Sequence, residues 1–368
     1  MSVLDFQSPR ETDDARQLNG RQPGQGVRRA SSRQPSGVAL PEVALALADR
    51  RSGMLLRHEL VDFGLSRGDI ERLVRHEQLI RMSGGVFAVA DLAKYADQRY
   101  ACRVAGHVYS SLSRDSSRLS PLAGPSSLVV DRLPLWRPPR QVFVSRGHEH
   151  GRNERHTTHS VGPVPQANLL VGVLSGDADE RTFARTNTVR SLLDAARLTD
   201  FASAVGAADR ALRRGLCDRE ELMEGAAAMT NLKGVARARR LAEIADGNAA
   251  SPGESKSRVL MHELRVPIPV LQFEVGLRNG ALAIGDFCWR SHRLIGEYDG
   301  RFKYGRLNPS GKPPEDVVWD EKRREDELRA RGYSVVRWTT EDLRDPKRFA
   351  VILTEALERE RRIAWRGR

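Results

Sequence analysis

Asp286, Glu297 and Asp299 are the residues of this chain best spaced for chemistry. Asp286 lies toward the end of the strand-like run LAIGDFCW, and Glu297 and Asp299 lie near the end of the next, RLIGEYDG. Positions i and i+2 of a strand share a face, so Glu297 and Asp299 project together. If the two strands pair as neighbours, Asp286 joins them. Two carboxylates about 5 Å apart repel by roughly 3 kcal/mol at an effective dielectric near 20. Such a group must be solvated, share a proton or hold a cation. Hard oxygen donors suit Mg2+ or Mn2+, and a divalent ion there activates water and stabilises the leaving oxygen of a phosphodiester. The plainer readings are a turn acid at Asp286 and a solvated strand face at Glu297 and Asp299.

The elements that must position these acids read clearly from about residue 249 onward. SPGESKSRVLMHELRV starts a helix with Ser at the cap and Pro in the first turn. VLQFEVGLRNGALAIGDFCW gives two strands around an Asn-Gly turn. RLIGEYDG is a third strand, EDVVWDEKRREDELRARGY a helix ending at Gly332, YSVVRW a fourth strand and DPKRFAVILTEALERERR a closing helix. The order α-β-β-β-α-β-α predicts a mixed sheet flanked by helices. Eleven of the chain's 21 aromatics fall here, which argues for a separate, well-packed domain.

Residues 41–92 carry a second pattern. Two short helical runs, PEVALALADR and RHELVDFG, precede SRGDIERLVRHEQ. Ser66 and Asp69 form a capping box at the start of that third helix, and Ile70, Leu73 and Val74 form its apolar stripe. Arg67, Arg72 and Arg75 point elsewhere. LIRMSGGVFAVA then reads as a hairpin. Helix, helix, capped basic helix, hairpin is the order of a winged helix-turn-helix, with the third helix in a major groove of double-stranded DNA. A small helical domain with a merely solvated charged face is the alternative.

Between them, residues 93–247 read as a mixed α/β region followed by a bundle of four helical runs. His148, His150, His156 and His159 crowd one polar stretch with nothing to fix a metal geometry. Residues 1–36, rich in Arg, Gln, Ser, Gly and Pro, read as a disordered basic arm. The expected organisation is therefore α+β and multidomain: arm 1–36, winged helix-turn-helix 37–92, middle region 93–247 and a sheet domain 248–368.

Composition bounds the function classes. The chain has 368 residues, is 40% hydrophobic and carries a net charge of +12, a surplus that favours an anionic partner. Only 7 of its 60 basic residues are lysine, a skew that partly reflects genome composition and is discounted as a binding signal. No apolar run approaches the roughly 20 residues that span a bilayer, which sets membranes aside as partners. The start MSVLDFQSPRETDD lacks a basic region followed by an apolar one. Cys102, Cys217 and Cys288 are too far apart and odd in number for a disulfide framework. A reduced, cytoplasmic protein is expected.

An Asp at a strand end followed by Glu in the next strand, after a helix bearing a Glu, resembles the PD-(D/E)xK nuclease superfamily. The stretches RLIGEYDG and EKRREDELRARGYSVVRW are similar to its branch related to very-short-patch-repair endonucleases, in an uncharacterised form common in actinobacteria. The winged-helix and middle regions are similar to AbiEi-type antitoxins of toxin–antitoxin systems. The resemblance implies a restriction-endonuclease-like fold for 248–368, with Glu254 as the helix acid and Asp286 and Glu297 as metal ligands. The superfamily motif has Lys two residues after the Glu, where this chain has Asp299; Lys303 is the expected substitute, supplying the cation from a displaced position. Arg324, on the following helix, is expected to contact phosphate. Glu254 also stands three residues after Ser251, the spacing of a capping box. Two functions follow from the resemblance: a Mg2+-dependent DNA endonuclease docked by Arg67, Arg72 and Arg75, or a non-catalytic antitoxin-type regulator with a cognate toxin as partner.

Overall fold

The computed structural model describes residues 2–4, 38–51, 53–83, 85–112, 120–133, 135–146, 158–174, 181–278, 280–299 and 314–366. Lys303, three of the four clustered histidines (His148, His150 and His156) and all of the basic arm but Ser2–Leu4 lie outside them. Over the described residues the protein is mixed α+β, with twelve α-helices and several small sheets. None of these helices is long and apolar enough to cross a membrane. Two compact units emerge, one built on Met1–Thr12, Arg21–Ala207 and Gly215–Glu243, the other on Asp13–Gly20, Ala208–Arg214 and Ile244–Arg368.

In the first unit, Ser2–Leu4 (β1) precedes the elements Glu42–Arg50 (α1), Met54–Leu56 (β2), Arg57–Asp62 (α2), Arg67–Arg75 (α3), Leu79–Ser83 (β3) and Val86–Val89 (β4). The capping box of α3 forms as the sequence predicts: Asp69 N–H donates to Ser66 Oγ at 3.2 Å, and Ser66 N–H donates to Asp69 Oδ2 at 2.9 Å. Ile70 and Leu73 turn inward onto Leu55, Leu60, Leu79 and Phe87, which fixes the opposite face of α3 toward solvent. The sheet order β2-β4-β3 adds a strand, β2, that sequence periodicity does not reveal because it is three residues long.

Next come Ala96–Leu112 (α4), Gly124–Val130 (α5), Val142–Val144 (β5), Thr158–Ser160 (β6), Leu169–Leu174 (β7) and Arg181–Thr186 (β8). β7 lies between β1 and β8. Thr188–Leu198 (α6), Phe201–Arg213 (α7), Arg219–Ala228 (α8) and Val235–Ile244 (α9) are the four helical runs. α4 and its neighbours bury Tyr100, Cys102, Val104 and Val108 in one core with Met54, Val86, Val142 and Phe183. Charges buried there are paired: Arg185 with Asp131 at 2.9 Å, and Arg190 and Arg197 both with Asp194, at 2.8 and 2.5 Å. His159 packs on the Phe143 ring, centroids 4.7 Å apart, as an ordinary core contact.

The second unit is the α-β-β-β-α-β-α unit that the sequence predicts: Pro252–Glu263 (α10), Val270–Gly276 (β9), Leu282–Trp289 (β10), Leu294–Asp299 (β11), Pro314–Ala330 (α11), Ser334–Thr339 (β12) and Pro346–Arg366 (α12). The sheet order is β12-β11-β10-β9, antiparallel except for β11 with β12. One face buries Phe287, Trp289, Leu294, Tyr298 and Trp338 with Leu260 and Met261 of α10 and Phe349 and Leu353 of α12. The other buries Cys288 and Ile295 with Leu328 of α11. Two glycines permit the first packing. A Cβ at Gly253 would lie 2.0 Å from the Tyr298 ring, and one at Gly296 would lie 2.6 Å from Trp338. Both contacts are closer than packed carbon atoms allow, so hydrogen at Gly253 lets α10 seat on β11 and hydrogen at Gly296 makes room for the Trp338 ring. Arg258 of α10 is anchored by Asp209, at 2.5 Å.

Candidate functional site

Two acids of the second unit are electrostatically coupled. Glu254 occupies the first turn of α10, where the cap at Ser251 places it. Its carboxylate is buried and accepts from Ala250 N–H at 2.8 Å, Ser251 Oγ at 2.9 Å and Gln272 Nε2 at 3.0 Å. Burial and the nearby charge of Asp286 nonetheless push its pKa up to about 7. Ser251 Oγ caps α10 by accepting from Glu254 N–H at 3.2 Å, but the Glu254 carboxylate takes the Ala250 N–H instead of the Ser251 N–H, so only half of the capping box read from the sequence forms, and the same side chain feels the charge of Asp286.

Asp286 sits where the sheet ladder is interrupted. β10 pairs with β9 at Gly285↔Phe273 and again at Phe287↔Leu271, but not at the intervening position. There Gln272 has φ of 46°, in the left-handed region that a residue with a Cβ seldom occupies, at a cost of about 1 kcal/mol or more. β10 and β11 part beyond Phe287↔Gly296, and the Tyr298 N–H donates to Asp286 Oδ2 at 2.8 Å. The strained Gln272 thus reaches Glu254 with its amide and stands opposite Asp286 in the gap.

Glu297 has a different environment. Its side chain is 6% exposed and lies 2.9 Å from Arg324 and 3.0 Å from Arg337. The Arg337 Nε–H donates to Oε2. Oε1 makes no aligned hydrogen bond although the Arg324 guanidinium is in ion-pair range, so that contact is ionic rather than directional. Glu297 is the register partner of Arg337 across the parallel β11–β12 pair, which explains why they meet. Arg337 also pairs with Glu325 at 2.5 Å. Hydrogen bonding to Arg337 holds the Glu325 carboxyl below its usual range.

The sequence expected Glu254, Asp286, Glu297 and Asp299 to converge on a metal. Among the described residues no three His, Cys, Asp or Glu side chains gather closely enough to hold one. The physical reason is the pair of guanidiniums, which takes Glu297 for itself, while Glu254 and Asp286 remain a pair. Asp299 is half-buried at the end of β11. Arg324, expected on phosphate, is engaged with Glu297 and with the Ile284 carbonyl oxygen. Sequence reasoning missed Gln272 and Arg337. An arginine inside the apolar run YSVVRW was a visible signal for the second; nothing in the sequence marks the backbone of the first.

In the first unit, Arg67, Arg72 and Arg75 are all exposed on α3. Arg72 pairs with Asp69 at 2.5 Å; Arg67 and Arg75 make no ion pair among the described residues. Glu71 of α3 binds Arg81 of β3 at 2.6 Å, tying the helix to the hairpin. Arg57 and Arg81 each lie over the Phe87 ring, at 5.5 and 5.2 Å.

Relatives exist, but their function is unknown. Two uncharacterized proteins of Mycobacterium tuberculosis, one from strain CDC 1551 and one from strain H37Rv, are each 29% identical to this chain over 200 residues. The match covers 54% of this chain and 71% of each relative. No family model matches the chain.

Proposed function

We propose that this is a cytoplasmic DNA-binding protein that docks on duplex DNA through α3 and cleaves phosphodiesters with Mg2+ or Mn2+ held at Glu254 and Asp286. The observation that carries the docking is a capped helix with Arg67, Arg72 and Arg75 exposed, inside the order α1-β2-α2-α3-β3-β4 with sheet order β2-β4-β3. That arrangement fits a winged helix, whose third helix enters the major groove while the hairpin touches backbone.

For the cation, the donor chemistry fits a hard divalent ion. The Asp286 charge raises the cost of ionising Glu254, and a positive charge beside them relieves it. Mg2+ is commonly held by one or two carboxylates, with water and substrate phosphate completing its shell. When bound, the ion supplies charge stabilisation to the phosphodiester undergoing attack. Gln272 orients Glu254, and the Tyr298 amide orients Asp286. Such an arrangement accords with the restriction-endonuclease-like resemblance of 248–368.

A second reading keeps the DNA docking and drops the catalysis: a regulator of the antitoxin type, with a cognate toxin as partner. It is favoured by Glu297, which two arginines neutralise, and by Asp299 at the position where the nuclease motif has Lys.

Electrophoretic shift with a random-sequence duplex in chelator tests the docking common to both. Changing Arg67, Arg72 and Arg75 together to Ala is expected to weaken binding by about 100-fold at moderate salt. It should also flatten the slope of log affinity against log salt by roughly 3, about one for each lost phosphate contact. Unaltered affinity and slope in a folded triple variant contradict the proposal.

A further inference from the structure

Two guanidiniums that converge on one anion form a phosphate site in all but the identity of the anion. Arg324 and Arg337 approach Glu297 at 2.9 and 3.0 Å, from α11 and β12 respectively. The exposures are unequal in an informative way. Glu297's side chain is 6% exposed, whereas those of Arg324 and Arg337 are 30% and 38% exposed. The carboxylate therefore holds the arginines from within, and their outer edges face solvent. A guanidinium offers five N–H donors in a planar fork suited to phosphate oxygens. Glu297 Oε1 takes no aligned hydrogen bond, so Arg324 is held to Glu297 by charge, its directional bond going to the Ile284 carbonyl oxygen. Arg337 shares its remaining donors with Glu325 at 2.5 Å.

We propose that Arg324 and Arg337 form a clamp for a DNA phosphate, with Glu297 as its built-in counter-ion. In the resting protein the carboxylate fills the anion's electrostatic role, which keeps the arginines in place and lowers their pull on stray anions. An incoming phosphodiester competes with Glu297 for Arg324, the more weakly directed of the two. The clamp rests on the reading that the second unit contacts DNA, but it needs neither a bound cation nor cleavage. It reassigns Glu297 from metal ligand to gate and gives Arg337 a role that the sequence did not suggest.

The test is fluorescence anisotropy of a labelled duplex with the full-length chain in chelator, comparing wild type with Glu297→Gln. Removing the internal anion releases Arg324 from its ion pair while Arg337 stays paired with Glu325, so the variant is expected to bind several-fold tighter, with a salt slope steeper by roughly 1. Equal or weaker binding with an unchanged slope overturns the clamp and leaves the arginines as structural partners of Glu297. If Glu297→Gln fails to fold, Arg324→Gln is compared with Arg323→Gln, the same charge loss one position away on α11. A several-fold greater loss at Arg324 supports the clamp; equal losses overturn it. A wild type that binds DNA through the α3 arginines yet is indifferent to Glu297→Gln refutes the clamp alone. Absence of DNA binding in both proteins refutes the clamp and the docking together.

Discussion

Nicking of supercoiled plasmid in Mg2+ is expected to fall at least about 1,000-fold when Asp286 becomes Asn. The substitution is chosen because its side-chain carbonyl still accepts the Tyr298 N–H that Asp286 Oδ2 accepts at 2.8 Å. What it removes is the charge. Loss of a divalent ion from a phosphodiester site forfeits several kcal/mol of transition-state stabilisation, and each ~1.4 kcal/mol is tenfold in rate. A folded Asp286→Asn protein that nicks as wild type does contradicts the catalytic reading. A wild type that shifts DNA but nicks none favours the antitoxin-type regulator instead.

Thermal or denaturant unfolding of Glu254→Gln is expected to show a pH-dependent gain over wild type. Burial and the Asp286 charge put the folded pKa of Glu254 at about 7, against 4.5 for an ordinary glutamate. The folded state therefore keeps a proton that the unfolded chain releases on passing pH 4.5. Stability falls as pH rises from about 4.5 to 7, and the penalty is complete above pH 7. At pH 8 the uncharged glutamine escapes a cost of roughly 3 kcal/mol, because a tenfold change in proton affinity is worth about 1.4 kcal/mol. Below pH 4.5 wild type and variant converge, because Glu254 is then protonated in the folded state and increasingly so in the unfolded chain. A difference that does not vary between about pH 4.5 and 8 indicates that Glu254 is an ordinary capping residue.

The element order of the second unit was readable because each element carries its own punctuation: Ser251 and Pro252 start α10, Gly280 lies between β9 and β10, and Gly332 follows α11. The α3 cap was readable for the same reason, since Ser66 and Asp69 act within one turn. Strand β2 was not, because three residues show no period. β7 and β8 escaped for a related reason: LLVGVL is uniformly apolar, and RTFART mixes charge into a strand.

For the site, residue types were legible and partners were not. The i, i+2 rule puts Glu297 and Asp299 on one face, but it does not say what faces them. That depends on the register of β11 with β12, 40 residues along the chain, which sets Arg337 beside Glu297. Likewise, Gln272 donates to Glu254 at the point where the ladder skips its pairing with Asp286, a backbone choice that no side-chain pattern encodes.

Isothermal calorimetry of Mn2+ binding at pH 8, on wild type and Asp286→Asn, tests the cation site at the centre of this account. The expected result is saturable heat for one Mn2+ per wild-type chain and none for Asp286→Asn. Equal heats from both proteins, or silence from a folded wild type, would contradict it.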